Sequence, residues 1–77
     1  MHTDVDINYG VDFERALERL HHAAGKIFRQ YREAKQGNAD VAEIARLRQD
    51  YLDAQREAEG LSPRDAAGIQ AVLDRTA

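Results

Sequence analysis

The chain has 77 residues, neither cysteine nor tryptophan, and a formal net charge of −3. This length allows one small domain and excludes a second domain or a deep active-site cleft. The lack of cysteine excludes disulfides and cysteine-based metal sites. A core of this size stabilises by only ~3–5 kcal/mol, so oligomerisation is the remaining common source of stability.

The sequence has no apolar run approaching the ~18 residues of a membrane span, and its N-terminus does not read as a basic-then-apolar signal segment. We therefore expect a cytoplasmic protein without membrane contact. The net negative charge argues mildly against a dedicated nucleic-acid binder.

Residues 1–11 show the period of a strand. Val5, Ile7, Tyr9 and Val11 alternate with polar residues or glycine, which is typical of a strand with one apolar face. A lone strand cannot pair its own backbone groups. This predicted extended N-terminal arm would pair with a strand of another chain, lie along the helices, or stay loose.

Helix one is predicted from about residue 12 to residue 36, with Asp12 as its N-cap and Gly37-Asn38 as its stop. Gly25 lies inside it and costs ~1 kcal/mol relative to alanine. Either Tyr51 covers this position, a second chain approaches it, or the helix kinks there. The apolar stripe recurs at spacings of four and three: Phe13, Leu17, Leu20, Ala24, Ile27, Tyr31 and Ala34.

Helix two is predicted over about residues 40–59, and Asp40 with Glu43 has the spacing of a capping box. Its apolar stripe has the same alternating spacing: Ile44, Leu47, Tyr51, Ala54, Ala58 and Leu61. Reversal of the chain at Gly37-Asn38 sets large residues of one stripe against small residues of the other. Ala24 then faces Tyr51, Leu20 faces Ala54, and Leu17 faces Ala58.

Helix three is predicted over about residues 63–75, with Ser62 as N-cap and Pro63 at the first helical position. A helix this short needs docking to persist. We expect it to dock on a groove lined by Ala16, Ala23 and Leu52, in its own chain or in a partner. The predicted fold class is therefore all-α: an antiparallel, coiled-coil-like helical hairpin with a short third helix, forming one three-helix domain over residues 12–77 after the arm.

Four apolar residues are expected to lie outside the hairpin core: Val5, Ile7, Tyr9 and Phe28. Such residues are candidate contacts for a partner. We expect a small acidic, non-enzymatic protein–protein interaction module of the adaptor, co-chaperone or inhibitor kind. It would act as a homodimer and bind another protein.

A cationic strip supports the alternative of a nucleic-acid-binding hairpin dimer. It follows helix one on the face opposite the stripe: Arg15, Arg19, His22, Lys26 and Arg29. Cations on one helix face can contact phosphates. A solvated helix face explains the same pattern, because no aromatic residues interleave with the strip and the whole chain is acidic.

Glu18 and His21 have the Glu-x-x-His spacing of carboxylate-bridged metal helices, and Glu57 lies opposite Glu18 in the hairpin register. A symmetric dimer would bring four such carboxylates and two imidazoles together, which is a remote alternative. These positions flank the seam between the helices, so we otherwise predict neither metal nor cofactor.

Catalytic side chains are not evident in the sequence. Ser62 is the only serine and is explained as a cap, and His21 and His22 lack an orienting acid at the spacing of a triad. The sequence therefore predicts a protein that is not an enzyme.

Overall fold

A computed structural model describes the backbone of residues 3–76 and the side chains of residues 10–76. It contains three helices, α1 over Thr3–Gln36, α2 over Val41–Gly60 and α3 over Ala66–Arg75. Helix α2 packs against α1, and α3 packs against α1 as well. The described residues contain no strand. The all-α hairpin with a short third helix is confirmed.

Both predicted apolar stripes are the faces that the helices bury. Every stripe residue is buried or half-buried, and Leu20, Ala24, Leu47 and Ala58 are buried. The main core cluster contains Ala58 together with Leu20, and Leu17 packs against it. Alanines occupy buried positions on both helices, so the two backbones can approach closely.

The reversal between α1 and α2 lies where the sequence predicts it. Asn38 has a φ of 56°, in the left-handed region that asparagine tolerates better than most residues. The amide of Ala39 donates to the carbonyl of Ala34 at 2.9 Å, and the amide of Asn38 donates to that of Lys35 at 3.4 Å. This pair of bonds is the Schellman motif, which satisfies carbonyls that the helix end leaves unpaired.

The N-terminus differs from the sequence prediction. Helix α1 begins at Thr3, so the backbone over residues 3–11 is helical rather than extended. A lone strand leaves its backbone groups unpaired, whereas each residue added to an existing helix gains a hydrogen bond. The spacing of Val5, Tyr9 and Phe13 also continues the four-residue step of the stripe. Met1 and His2 lie outside the described residues.

The N-terminal cap of α2 differs in one detail. Asp40 is the N-cap as predicted, but its carboxylate accepts no capping hydrogen bond from the described backbone. The predicted capping box is not formed, and Glu43 instead accepts a hydrogen bond from the guanidinium of Arg46.

Helix α3 begins three residues later than predicted. Residues 62–65 form a turn in which the amide of Asp65 donates to the carbonyl of Ser62 at 3.1 Å, with Pro63 inside the turn. Asp65 is the cap, and its Oδ1 accepts a hydrogen bond from the amide of Gly68 at 2.9 Å. Proline suits a turn of this kind because its φ is preset.

Helix α3 docks on its own chain. Ile69 and Val72 are buried in the cluster with Ala16, and Leu61 packs against that cluster. The predicted groove is therefore correct only at Ala16. Ala23 is exposed, and Leu52 does not belong to the cluster.

Gly25 faces open space, because a Cβ built on it meets no heavy atom within 4 Å. Tyr51 therefore does not cover this position. We expect Gly25→Ala to stabilise the protein by about 0.5–1 kcal/mol, since alanine removes the backbone entropy cost of glycine without a clash.

Thermal unfolding followed by circular dichroism measures the effect of Gly25→Ala. The matched control is Ala23→Gly, at an exposed position of the same helix, which should lower the melting temperature by a similar amount. A destabilised Gly25→Ala would instead indicate that a second chain approaches α1 at this glycine.

Candidate interaction surface

The two long edges of the hairpin differ because α3 covers only one of them. On α1, Ala16 contacts α3 through the core cluster. On α2, Glu57 accepts a hydrogen bond from Arg75 of α3 at 2.9 Å. We call the side of the hairpin marked by Ala16 and Glu57 the α3 edge.

Arg19 fastens the end of α3 to this edge. Its guanidinium donates to the backbone carbonyl of Thr76 at 2.8 Å and to the Thr76 hydroxyl at 3.1 Å. The Thr76 hydroxyl in turn donates to the carbonyl of Val72 at 2.7 Å. Arg19 is half-buried, and it neutralises acceptors at the C-terminal end of a helix, where a cation is favourable.

The opposite edge carries an aromatic cluster. The ring of Phe28 lies 5.1 Å from that of Tyr51 and 6.2 Å from that of Tyr31, centre to centre. Phe28 is 38% exposed, and both tyrosines are half-buried. Phe28 is therefore exposed as predicted, but it also joins the two helices, which its position beside the stripe did not indicate.

Helix periodicity shows which residues share this edge with Phe28. At ~100° per residue, Phe28 lies about 120° around α1 from Ala16, on the other side of the stripe. Leu52 and Val41 lie about 140° and 160° around α2 from Glu57. Val41 is 82% exposed. These residues therefore face away from α3.

Three cations accompany the apolar residues. Lys35 places its Nζ 5.2 Å from the centre of the Tyr31 ring, a cation–π contact. Arg32 and Lys35 line a shallow recess with Phe28 and Tyr31. By periodicity Arg48 lies on the same face of α2 as Val41 and Leu52, within about 40° of both. We call the following set the open edge: Phe28, Arg32, Lys35, Val41, Arg48 and Leu52.

The cations of the open edge are among those that form no ion pair with a described carboxylate, as are Lys26, Arg29 and Arg64. Arg15, Arg46, Arg56 and Arg75 each lie within 4.0 Å of a carboxylate. Over the described side chains, the three open-edge cations have no such partner: Arg32, Lys35 and Arg48. Their charge is therefore available to a ligand.

The pKa values of two arginines are raised by the carboxylates with which they pair. The hydrogen bond from Arg75 to Glu57, reinforced by the charge of that carboxylate, raises the pKa of Arg75 above its usual value. A hydrogen bond to Glu43 similarly raises the pKa of Arg46. Arginine is protonated at physiological pH in either case, so both shifts reflect surface ion pairing and neither creates a proton-transfer group.

The predicted cationic strip is only partly available. His22, Lys26 and Arg29 are exposed, whereas Arg19 is committed to Thr76 and Arg15 lies 3.7 Å from Asp12. The expectation that Arg19 faces solvent was wrong, because α3 docks beside it. The strip is thus shorter than the sequence suggested, which weakens it as a surface for phosphates.

The residues of the remote metal alternative are not gathered in the single chain. Glu18, His21 and Glu57 are exposed, and Glu57 pairs with Arg75. Among residues whose placement is described, no group of three or more metal-ligating side chains comes together. The version built across a dimer stays a prediction, since it needs a second copy.

The other predicted partner residues were Val5, Ile7 and Tyr9. The structure describes the helical backbone of these three residues but not their side chains. The sequence reasoning did not assign Val41 or Arg48 to an interaction surface. The seven-residue step from Val41 to Arg48 and the four-residue step from Arg48 to Leu52 were the available signal.

Within residues 3–76, no helix is both long and apolar enough to cross a membrane. Comparison of the chain with protein-family models, with curated proteins and with solved structures finds no match. The function is therefore argued from the surface itself.

Proposed function

We propose that this chain is a small protein–protein interaction module of the adaptor, co-chaperone or inhibitor kind, and not an enzyme. The observation that carries this proposal is the aromatic cluster of Phe28, Tyr31 and Tyr51 at a solvent-facing edge. Aromatic side chains are enriched in protein interfaces and supply much of their binding energy. Clustered in this way, they differ from a single exposed apolar residue, which needs no explanation.

We also propose that the module is a cytoplasmic homodimer. The thin core supports this, because three of the seven hydrophobic residues that are buried among the described side chains are alanines, and a small domain commonly gains stability by association. Val11 is 48% exposed near the N-terminal end of α1. It adjoins residues 3–10, whose helical backbone could contribute Val5, Ile7 and Tyr9 to a helix–helix contact.

Affinity capture from an extract of the native host tests the interaction role. The wild-type chain should retain a partner, and Phe28→Ala should reduce its recovery by at least 10-fold. Gln30→Ala is the matched control, because it truncates an exposed side chain of the same helix about 160° around α1 from Phe28 and should leave recovery unchanged. Absence of a retained partner, or equal loss in both variants, would contradict the proposed role of the cluster.

Light scattering coupled to size-exclusion chromatography tests the homodimer. The full chain should elute with twice the monomer mass, and a chain lacking residues 1–10 should elute as a monomer. A full chain of monomer mass would refute the homodimer while leaving the interaction role standing.

Nucleic-acid binding stays the alternative proposal, through Arg15, Lys26 and Arg29. The exposure of Lys26 and Arg29 supports it, and the loss of Arg19 to Thr76 weighs against it. Binding to duplex DNA at low salt that falls with Lys26→Glu would favour it. Undetectable binding under those conditions would eliminate it.

A further inference from the structure

We propose that the open edge binds an acidic amphipathic helix of another protein, a proposal that rests on the interaction role argued above. The open edge combines exposed Phe28 and Val41 and half-buried Leu52 with cations that no described carboxylate neutralises. A helix bound in a groove uses an apolar face with spacing i, i+3, i+4 and i+7. Flanking acidic residues would meet the cations.

The arrangement of the open edge suits a partner that presents a helix rather than a flat surface. Phe28 and Leu52 lie on the two antiparallel helices of the hairpin, so a partner helix lying along the seam between them would contact both. Phe28, Tyr31, Arg32 and Lys35 line a recess on the α1 side of the seam. Val41 supplies an apolar side chain on the α2 side, and its 82% exposure shows that this site is not filled by the chain itself.

Charge complementarity selects an acidic partner. Arg32, Lys35 and Arg48 are unpaired among the described residues, whereas Arg46 is already shared between Glu43 and Asp50. A partner carrying Asp or Glu beside its apolar face would pair with these cations as it covers Phe28. Complementary charge at the rim of an interface increases association rate and fixes register.

The same charges argue against a second copy of this chain at this edge. A two-fold symmetric contact places the same patch on both subunits. Arg32, Lys35 and Arg48 of one copy would then face their equivalents, and like charges repel. The homodimer proposed above therefore uses a different surface, near the N-terminal end of α1.

Nucleic acid is also a poorer ligand for the open edge. Phosphate backbones are contacted by extended series of cations. Here the cations surround Phe28, Val41 and Leu52, which a phosphate backbone would leave exposed to water. The apolar centre therefore favours a helix with an apolar face.

Selection from a displayed library of random 16-residue peptides, with the full chain as bait, identifies the preferred ligand chemistry. Enriched peptides should have helical apolar spacing with Asp or Glu on its flanks. A synthetic peptide of an enriched sequence is then titrated against each variant by fluorescence anisotropy. Its affinity should also fall as sodium chloride is raised, because salt screens charges at the rim.

Two variants test the placement of the peptide. Phe28→Ala should weaken binding by about 30-fold, the effect of losing an aromatic anchor. Arg48→Glu should weaken it by about 10-fold, through reversal of a rim charge. Arg64→Glu is the matched control. It makes the same charge change at an exposed position in the turn before α3, and it should leave affinity within about twofold of wild type.

Circular dichroism establishes whether each variant is folded. If Phe28→Ala does not fold, Arg48→Glu alone tests the placement of the peptide. Failure to enrich any peptide, or enrichment of basic or uncharged peptides, would overturn the proposal. A peptide affinity that neither variant changes would also overturn it. The same holds if the open-edge variants abolish self-association of the chain or its binding to duplex DNA.

The outcomes also separate this proposal from the interaction role. A host partner retained by the wild-type chain and unaffected by Arg48→Glu would overturn the acidic helix alone. Loss of both the host partner and the selected peptides would overturn the two proposals together.

Discussion

Replacement of Leu20 by alanine is expected to leave most of the protein unfolded at 25 °C. Leu20 is 3% exposed and belongs to the core cluster that joins α1 to α2 and α3. Truncating a buried leucine to alanine costs about 2–5 kcal/mol, from lost burial and from the cavity that remains. That loss is comparable to the ~3–5 kcal/mol that a core of this size supplies.

Urea unfolding followed by helical ellipticity measures the loss for Leu20→Ala. Gln30→Ala is the control, because Gln30 is an exposed residue of the same helix and substitutions at such positions stay within about 0.5 kcal/mol. A cooperative Leu20→Ala transition at nearly the wild-type midpoint would show that the core lies elsewhere, or that a second chain supplies much of the stability.

Val72→Asp is expected to detach α3 from the hairpin. Val72 is 4% exposed and packs in the cluster with Ala16 and Ile69. An aspartate there would bury a charge with no partner, which is strongly destabilising. A ten-residue helix in isolation is marginal in water, so α3 should lose its helicity once it is undocked.

The measurement for Val72→Asp is amide hydrogen exchange resolved along the chain. Protection should fall in residues 66–75 and remain in the part of α1 that contacts α2. Ala71→Asp introduces the same charge at the exposed neighbouring position and should leave α3 protected. Loss of protection throughout the Val72→Asp chain would show that the hairpin cannot persist without α3.

Periodicity was sufficient to predict the hairpin. The alternating spacing of four and three identified both buried stripes, and Gly37-Asn38 located the reversal. The terminal segment was harder, because the alternation of Val5, Ile7 and Tyr9 suits a strand while Val5 and Tyr9 also lie one helical turn apart. Pattern alone could not decide between them, since a strand needs a partner and a helix does not.

The docking of α3 could be predicted only in part. Ala16, Ala23 and Leu52 all border the stripes, but Ala16 and Leu52 lie on opposite edges of the hairpin. A single sequence does not reveal which edge a third helix covers. The expectation that Arg19 faces solvent was wrong for a similar reason. Its partner, Thr76, lies 57 residues away along the chain.

The separation of contacts along the chain also determines the order of assembly. Only residues 37–40 separate α1 from α2, so the hairpin closes a short loop at small entropic cost. The bond between Arg19 and Thr76 closes a much longer one. Contacts between distant residues form slowly relative to local ones. We therefore expect the contacts between α1 and α2 to form before the contacts that seat the C-terminal segment on α1.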